Sequence, residues 1–187
     1  LWAGCHLAED DYFVVCLTNG NNTTRRVEFG EAMTISNDRC LMLEYPDLTN
    51  GKRDNWVTCE DSIAEDIDTL LSYKEWDSIT THSPSGEYGH LHHILSNSIL
   101  SASSNRNSMF DRLYYFELYF AKSSIPVIYK PNMSESSLII RDQMADVYDS
   151  QISMVLYDHM RGYEALIKAT DWANRNSITS NAYTNAA

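Results

Sequence analysis

The stretch Tyr12–Asn22 reads YFVVCLTNGNN, and its two halves decide the fold. Tyr12–Leu17 is an unbroken apolar run, the pattern of a strand covered on both faces. It passes directly into Thr18–Asn22, a turn-rich segment at the strand's C-terminal end, where open α/β sheets bind their ligands. Outward from it, Leu1–Ala8 reads as the remainder of a first helix, and Arg25–Ser36 as a helix closed by Asn37-Asp38. Cys40–Tyr45 is a second buried strand, followed by Pro46-Asp47 and a polar loop to Asn55. Thr58–Tyr73 is the clearest helix: Ile63, Ile67, Leu70 and Leu71 share one face, and acids fill the first turns, where the helix dipole favours them. Trp76–Thr81 is a third strand. This β-α-β-α-β order implies an α/β protein with a mostly parallel sheet and helices on both faces.

The second half is less regular. Leu113–Phe120 and Ile125–Lys130 read as strands, Ser137–Met154 as helical in part, and Arg161–Asn174 as a helix with Tyr163, Leu166 and Ile167 facing inward. A chain of 187 residues with 43% hydrophobic and 21% charged residues has the composition of one globular domain. We assign that domain to residues 1–176 and a small, polar, mobile tail to 177–187. The formal charge of −12 argues against nucleic acid or an anionic membrane as a partner. Cys5, Cys16, Cys40 and Cys59 lack metal-type spacing and read as reduced thiols, with Cys16 and Cys40 in apolar runs where buried thiols are common. No run approaches the length of a membrane span and no signal pattern is visible, so a soluble, cytoplasmic protein is expected. The opening Leu1-Trp2-Ala3-Gly4 reads as the middle of a chain whose first strand lies upstream.

The third strand leads into TTHSPSGEYGHLHH, Thr80–His93. A Ser-Pro-Ser-Gly turn is followed by three histidines within four residues and then the apolar-patterned Ile94–Leu100. A helix starting near His90 would face His90 and His93 to one side, and its N-terminal dipole disfavours imidazolium. Neutral imidazole is the form that binds metal. A histidine-rich surface turn is the plain alternative. The cluster on its own does not name a reaction.

Taken in order, several features resemble the PIG-L/LmbE-like metal-dependent N-deacetylases. They are VVCLTNGNN (Val14–Asn22), Arg25-x-x-Glu28 with Ala32, Tyr45-Pro46-Asp47, GEYGHLHH (Gly86–His93) as a Gly-His-x-x-His signature, and Tyr148-Asp149-Ser150-Gln151. Together they span roughly Leu1 to Gln151. The resemblance implies a Rossmann-like three-layer α/β/α fold, here without its first strand, and a zinc or other divalent ion. It also implies hydrolysis of an N-acetyl group on an N-acetylglucosamine-type sugar conjugate. Metal-bound water is acidified and a carboxylate takes its proton.

Carried over by position, His93 is the metal ligand, His90 stabilises the oxyanion, Tyr88 faces the substrate carbonyl or the metal, and Arg25 and Asp47 hold the sugar. Surface pairing of Arg25 with Glu28 and turn-capping by Asp47 are the plain alternatives. A neutral His93 and a cationic His90 make opposite demands, so His90 needs a carboxylate nearby. Two departures stand out. Many members carry Asp where this chain has His92, which removes an orienting acid. The His-Pro-Asp-Asp-Glu motif, which supplies two ligands and the general base, falls before Leu1 in register, and His6 with Glu9, Asp10 and Asp11 lies in the wrong place to replace it. The chain alone is thus expected to be inactive. The rival expectations are a non-catalytic member binding a sugar or a protein, and an unrelated hydrolase whose metal sits on His90, His92 and His93. The loops Leu48–Trp56 and Ser101–Asp111 are where substrate choice is expected.

Overall fold

A computed structural model describes residues 4–117, 119, 132–151 and 160–175. In chain order the elements are α1 (Gly4–Glu9), β1 (Phe13–Thr18), α2 (Thr23–Ser36), β2 (Arg39–Tyr45), the short strands β3 (Leu48–Thr49) and β4 (Lys52–Arg53), and α3 (Glu60–Ser72). Then come β5 (Ile79–Thr81), a single irregular turn α4 (Gly86–Gly89), α5 (Leu91–Arg106), β6 (Leu113–Phe116), α6 (Glu135–Asp146) and β7 (Leu166–Lys168). The protein is of the α/β class. It divides into two compact units, Leu1–Asp54 with Ile128–Glu164, and Asn55–Val127 with Ala165–Ala187.

In the first unit β1 and β2 pair in parallel, with Phe13 opposite Arg39 and Val15 opposite Leu41. The connecting helix α2 is set at both ends by asparagine. The Asn22 side chain accepts the Arg25 N–H at 3.2 Å, and Asn37 closes the helix in the left-handed region at φ 64°. Phe29, Ala32 and Met33 of α2 form the core with Leu7 of α1 and Met144 of α6, over Val14 and Met42 of the strands. The turn after β1 is tied to β2 by Gly20, whose N–H donates to the Leu43 carbonyl at 2.8 Å. A Cβ at Gly20 would stand 2.6 Å from that same oxygen, so only glycine allows this approach.

In the second unit β5 pairs in parallel with β6, and β6 antiparallel with β7. Leu113, Tyr115 and Ala169 form its core, with Ile79, Ile167 and Trp172 packed against them. Helix α3 buries Ile63, Ile67 and Leu71, as its periodicity requires, and packs on α5. The far end of α5 is tied to α3 where Arg106 Nη2 and Asn107 Nδ2 each donate to Asp68 at 2.9 Å.

Several expectations need correction. Arg161–Asn174 is not a helix. Met160 and Gly162 have φ of 60° and 83°, a turn closed by the Tyr163 N–H on the Met160 carbonyl at 2.9 Å. Leu166–Lys168 then pairs with the open edge of β6, and Ala169–Asn174 is a 3-10 turn. A short apolar run fits either period, and the available edge decides. The expected loop Ser101–Asp111 is largely helical, because α5 continues to Arg106 with the small Ser103 and Ser104 fully buried. The third strand is confined to Ile79–Thr81, since Trp76 turns back to donate its Nε1–H to the Leu70 carbonyl at the end of α3. The loop at Leu48–Trp56 contains the β3–β4 hairpin. All four thiols are free, but Cys40 is exposed near the start of β2 instead of buried. The strand expected at Ile125–Lys130 and the tail at 177–187 lie outside the described residues. Among those residues no helix is long and apolar enough to cross a membrane.

Candidate metal centre

The segment after β5 is shaped by two residues in the left-handed region. Gly86 has φ 64°, and a Cβ there would meet Ile94 Cγ1 at 2.7 Å. Glu87 has φ 57° and ψ −71°, a conformation that costs a residue with a Cβ about 1–3 kcal/mol. That backbone turns the Glu87 side chain fully inward, to 0% exposure. There Oε1 accepts the Ser83 N–H at 2.8 Å, while the Glu87 N–H donates to Ser83 Oγ at 3.1 Å. Oε2 lies 2.9 Å from His82 Nδ1 and 2.5 Å from His93 Nδ1. His82 follows β5 and is pinned through its carbonyl by Asn97 Nδ2 of α5 at 2.8 Å. His93 stands in the first turn of α5, for which His90 is the N-terminal boundary.

The rings form a cluster. His82 and His93 stack with centroids 3.6 Å apart and planes 7° from parallel, and His90 lies 4.3 Å from His93. Tyr88, 40% exposed, sits at the edge of both, its ring 5.8 Å from His90 and 5.7 Å from His93. Burial works to raise the Glu87 carboxyl, but the bonds with His82 and His93 outweigh it and hold the group at about 2. Burial pushes the His93 imidazole below its ordinary value, against the opposing pull of Glu87. The resulting state is an ionised carboxylate beside a neutral imidazole.

Among the described residues, His82, Glu87 and His93 form a group whose ligand atoms all lie within 4.8 Å of one another. Two imidazoles and a carboxylate are a donor set suited to zinc and similar ions. The chemistry therefore fits a divalent metal, although the Nδ1–Oε2 separations are those of hydrogen bonds.

Tyr88, His90 and His93 are thus brought together. His92 turns the other way: it is 6% exposed and stacks on Trp56 at 4.2 Å and 10°. Arg25 and Asp47 belong to the first unit. Arg25 donates from Nη1 to Glu28 Oε2 at 2.8 Å and lies over the Tyr148 ring, 5.1 Å from its centroid. Glu28 in turn accepts the Ser150 N–H at 2.7 Å and Oγ–H at 2.8 Å. Asp47 pairs with Arg53 beside an open groove of about 320 Å³ between Asn19 and Leu48, at the C-terminal ends of β1 and β2. Sequence reasoning missed His82 and Glu87. The available signal was an acid directly after a glycine, with a histidine on either side of the turn.

No protein-family model matches the chain, and no curated protein matches it in sequence. A solved structure does match: the crystal structure of Dbv21, the deacetylase of the antimicrobial reagent A40926 pseudoaglycone. The TM-score is 0.63 at 16% identity, over 82% of this chain and 77% of that one. What the two share is the fold. Dbv21 supplies an independent α/β framework against which the histidine segment can be interpreted.

Proposed function

We propose that this protein belongs to a metal-dependent N-deacetylase, with the Rossmann-like α/β/α layering that the sequence features resemble. It removes the acetyl group from an N-acetylglucosamine-type conjugate, and zinc is the metal. The observation that carries this reading is the stacked pair His82 and His93 on one buried, ionised carboxylate. The shared fold with a protein that is itself a deacetylase adds support. His93 would hold the ion. When bound, such an ion acidifies water and polarises an amide carbonyl.

The chain's own residues do the rest. His90, 4.3 Å from His93, donates to the oxygen that becomes negative as the amide carbonyl turns tetrahedral. Tyr88, at the exposed edge, meets the acetyl carbonyl and orients it. Arg25 and Asp47 belong to the other unit, and a sugar-holding role for them is what the resemblance alone implies. The resemblance assigns the carboxylate that takes the proton from water to a His-Pro-Asp-Asp-Glu segment, which these 187 residues do not contain.

Two measurements test the proposal. Zinc uptake by this chain should be near one ion per molecule and should drop sharply in His93→Ala. Acetate release from N-acetylglucosamine conjugates should be assayed in parallel. Release that is lost on chelation and restored by zinc is the expected result. Sugar binding without acetate release would make this a binding protein instead.

A further inference from the structure

Glu87 is costly in two ways at once. A carboxylate with no exposure must be fully hydrogen-bonded to be tolerated, and its backbone sits at φ 57°. Positions like this persist when their surroundings over-determine them. Here the surroundings are specific: Ser83 binds both the Glu87 N–H and Oε1, so that Oε2 is left to face His82 and His93. An ionised carboxylate can only accept hydrogen bonds. Both Nδ1 atoms must then carry the proton, and a neutral ring has only one to carry.

We propose that Glu87 is a positioning residue: by accepting Nδ1–H from His82 and His93 at one oxygen, it fixes the neutral His93 ring in the Nδ1–H tautomer, so that His93 offers Nε2 to a divalent transition-metal ion. This rests on the reading of His93 as a metal ligand; His82, stacked flat on it, cannot aim its Nε2 at the same ion and acts as the second donor to Glu87. A carboxylate behind a ligand histidine fixes its tautomer and raises its basicity. The stacking of the two rings makes the arrangement collective, because neither ring turns without disturbing the other. A glutamine cannot replace this carboxylate. Its oxygen can serve the Ser83 N–H or the histidines, and its NH₂ then faces the other side as a donor. With the NH₂ toward the rings, Nδ1 must become the acceptor and the proton moves to Nε2.

The test uses long-range ¹H–¹⁵N imidazole spectra of the full metal-free chain, with His82→Asn and His93→Asn for assignment, compared with Glu87→Gln. The wild type is expected to show Nδ1–H for both rings, with at least one converted to Nε2–H in Glu87→Gln. Zinc affinity in that variant should fall about 10–100-fold, while the cobalt(II) absorption of the loaded variant keeps its wild-type shape, since no ligand has been lost. Nε2–H rings in the wild type would overturn the proposal, as would unchanged tautomers with zinc affinity within about twofold. A changed cobalt spectrum with Nδ1 ligation would instead make Glu87 a direct ligand and equally overturn it. If Glu87→Gln does not fold, the wild-type tautomers decide. Nδ1–H rings in a wild type that takes up no zinc would sink the metal reading while leaving the control of the rings by Glu87 standing.

Discussion

Acidification should unlock the histidine segment in two steps, and the sign follows from the groups involved. In the folded chain Glu87 is held from an ordinary 4.5 down to about 2. The unfolded chain therefore takes up this proton first, and stability falls as pH drops from about 4.5 toward 2. At about 1.4 kcal/mol per pH unit, the full loss is on the order of 3 kcal/mol, complete only below the folded value. His93 acts earlier in the same direction. Its folded imidazole is depressed below 6.5 by burial, so the unfolded ring protonates first and stability begins to fall below about pH 6.5. The assay is urea denaturation at pH steps from neutral to acid, followed by tryptophan fluorescence. Trp56, Trp76 and Trp172 all belong to the unit that holds Glu87, so the signal reports on it. Other acids titrate in the same range, and for that reason the difference between wild type and Glu87→Gln is the informative quantity. That gap should be widest near neutral pH, narrow below about 4.5 and close toward pH 2. A gap constant across the range would mean that Glu87 is already neutral in the folded protein, and the account of its three hydrogen bonds would fail.

Two further outcomes follow in the first unit. Glu28→Ala should cost roughly 3 kcal/mol in urea denaturation, because the buried Arg25 pairing and both Ser150 hydrogen bonds lose their acceptor; Glu28→Gln, which keeps an oxygen there, should cost distinctly less. Gly20→Ala should cost about 1–3 kcal/mol, since its Cβ would press on the Leu43 and Met42 carbonyls of β2. Gly30→Ala in α2 is its control: the new methyl meets nothing within 4 Å and should add roughly 0.5–1 kcal/mol of stability.

The parts of this fold that show in the sequence are those encoded by neighbours in the chain. The apolar runs gave away β1 and β2, Asn22 and Asn37 bracket α2 within two residues of its expected bounds, and the isoleucine spacing of α3 survives intact in its buried face. Leu166 and Ile167 misled because two adjacent apolar residues suit a helix or a strand, and only the edge of β6 chooses between them. The site divides in the same way. Histidine spacing brought Tyr88, His90 and His93 into view. Glu87, between a glycine and a tyrosine, reads as an exposed turn residue, and its burial depends on a positive φ that an L-residue rarely adopts. His82 falls just past the expected third strand and carries no signal of its own until Glu87 is seen to join it to His93.

His92 stands beside His93, the proposed ligand, where many members of the family that the sequence resembles carry an acid. Glu87 bonds His82 and His93 from the preceding turn, and His92 packs against Trp56. This packing has its own constraint, because Trp56 is buried to 1% exposure at a φ of 56° and its indole face needs a flat partner. His92→Phe should keep that stack, worth about 0.5–1.5 kcal/mol, and leave both zinc uptake and the tautomers of His82 and His93 unchanged. His92→Asp should do the reverse of restoring an orienting acid: the carboxylate would be buried against the indole, and the cost would appear as lost stability of several kcal/mol. Melting curves and zinc titrations of the two variants separate the possibilities. If His92→Phe lost zinc while remaining folded, position 92 would be a ligand after all, and the ion would belong on the three histidines of α5's first turn and its boundary instead of on the His93 ring held by Glu87.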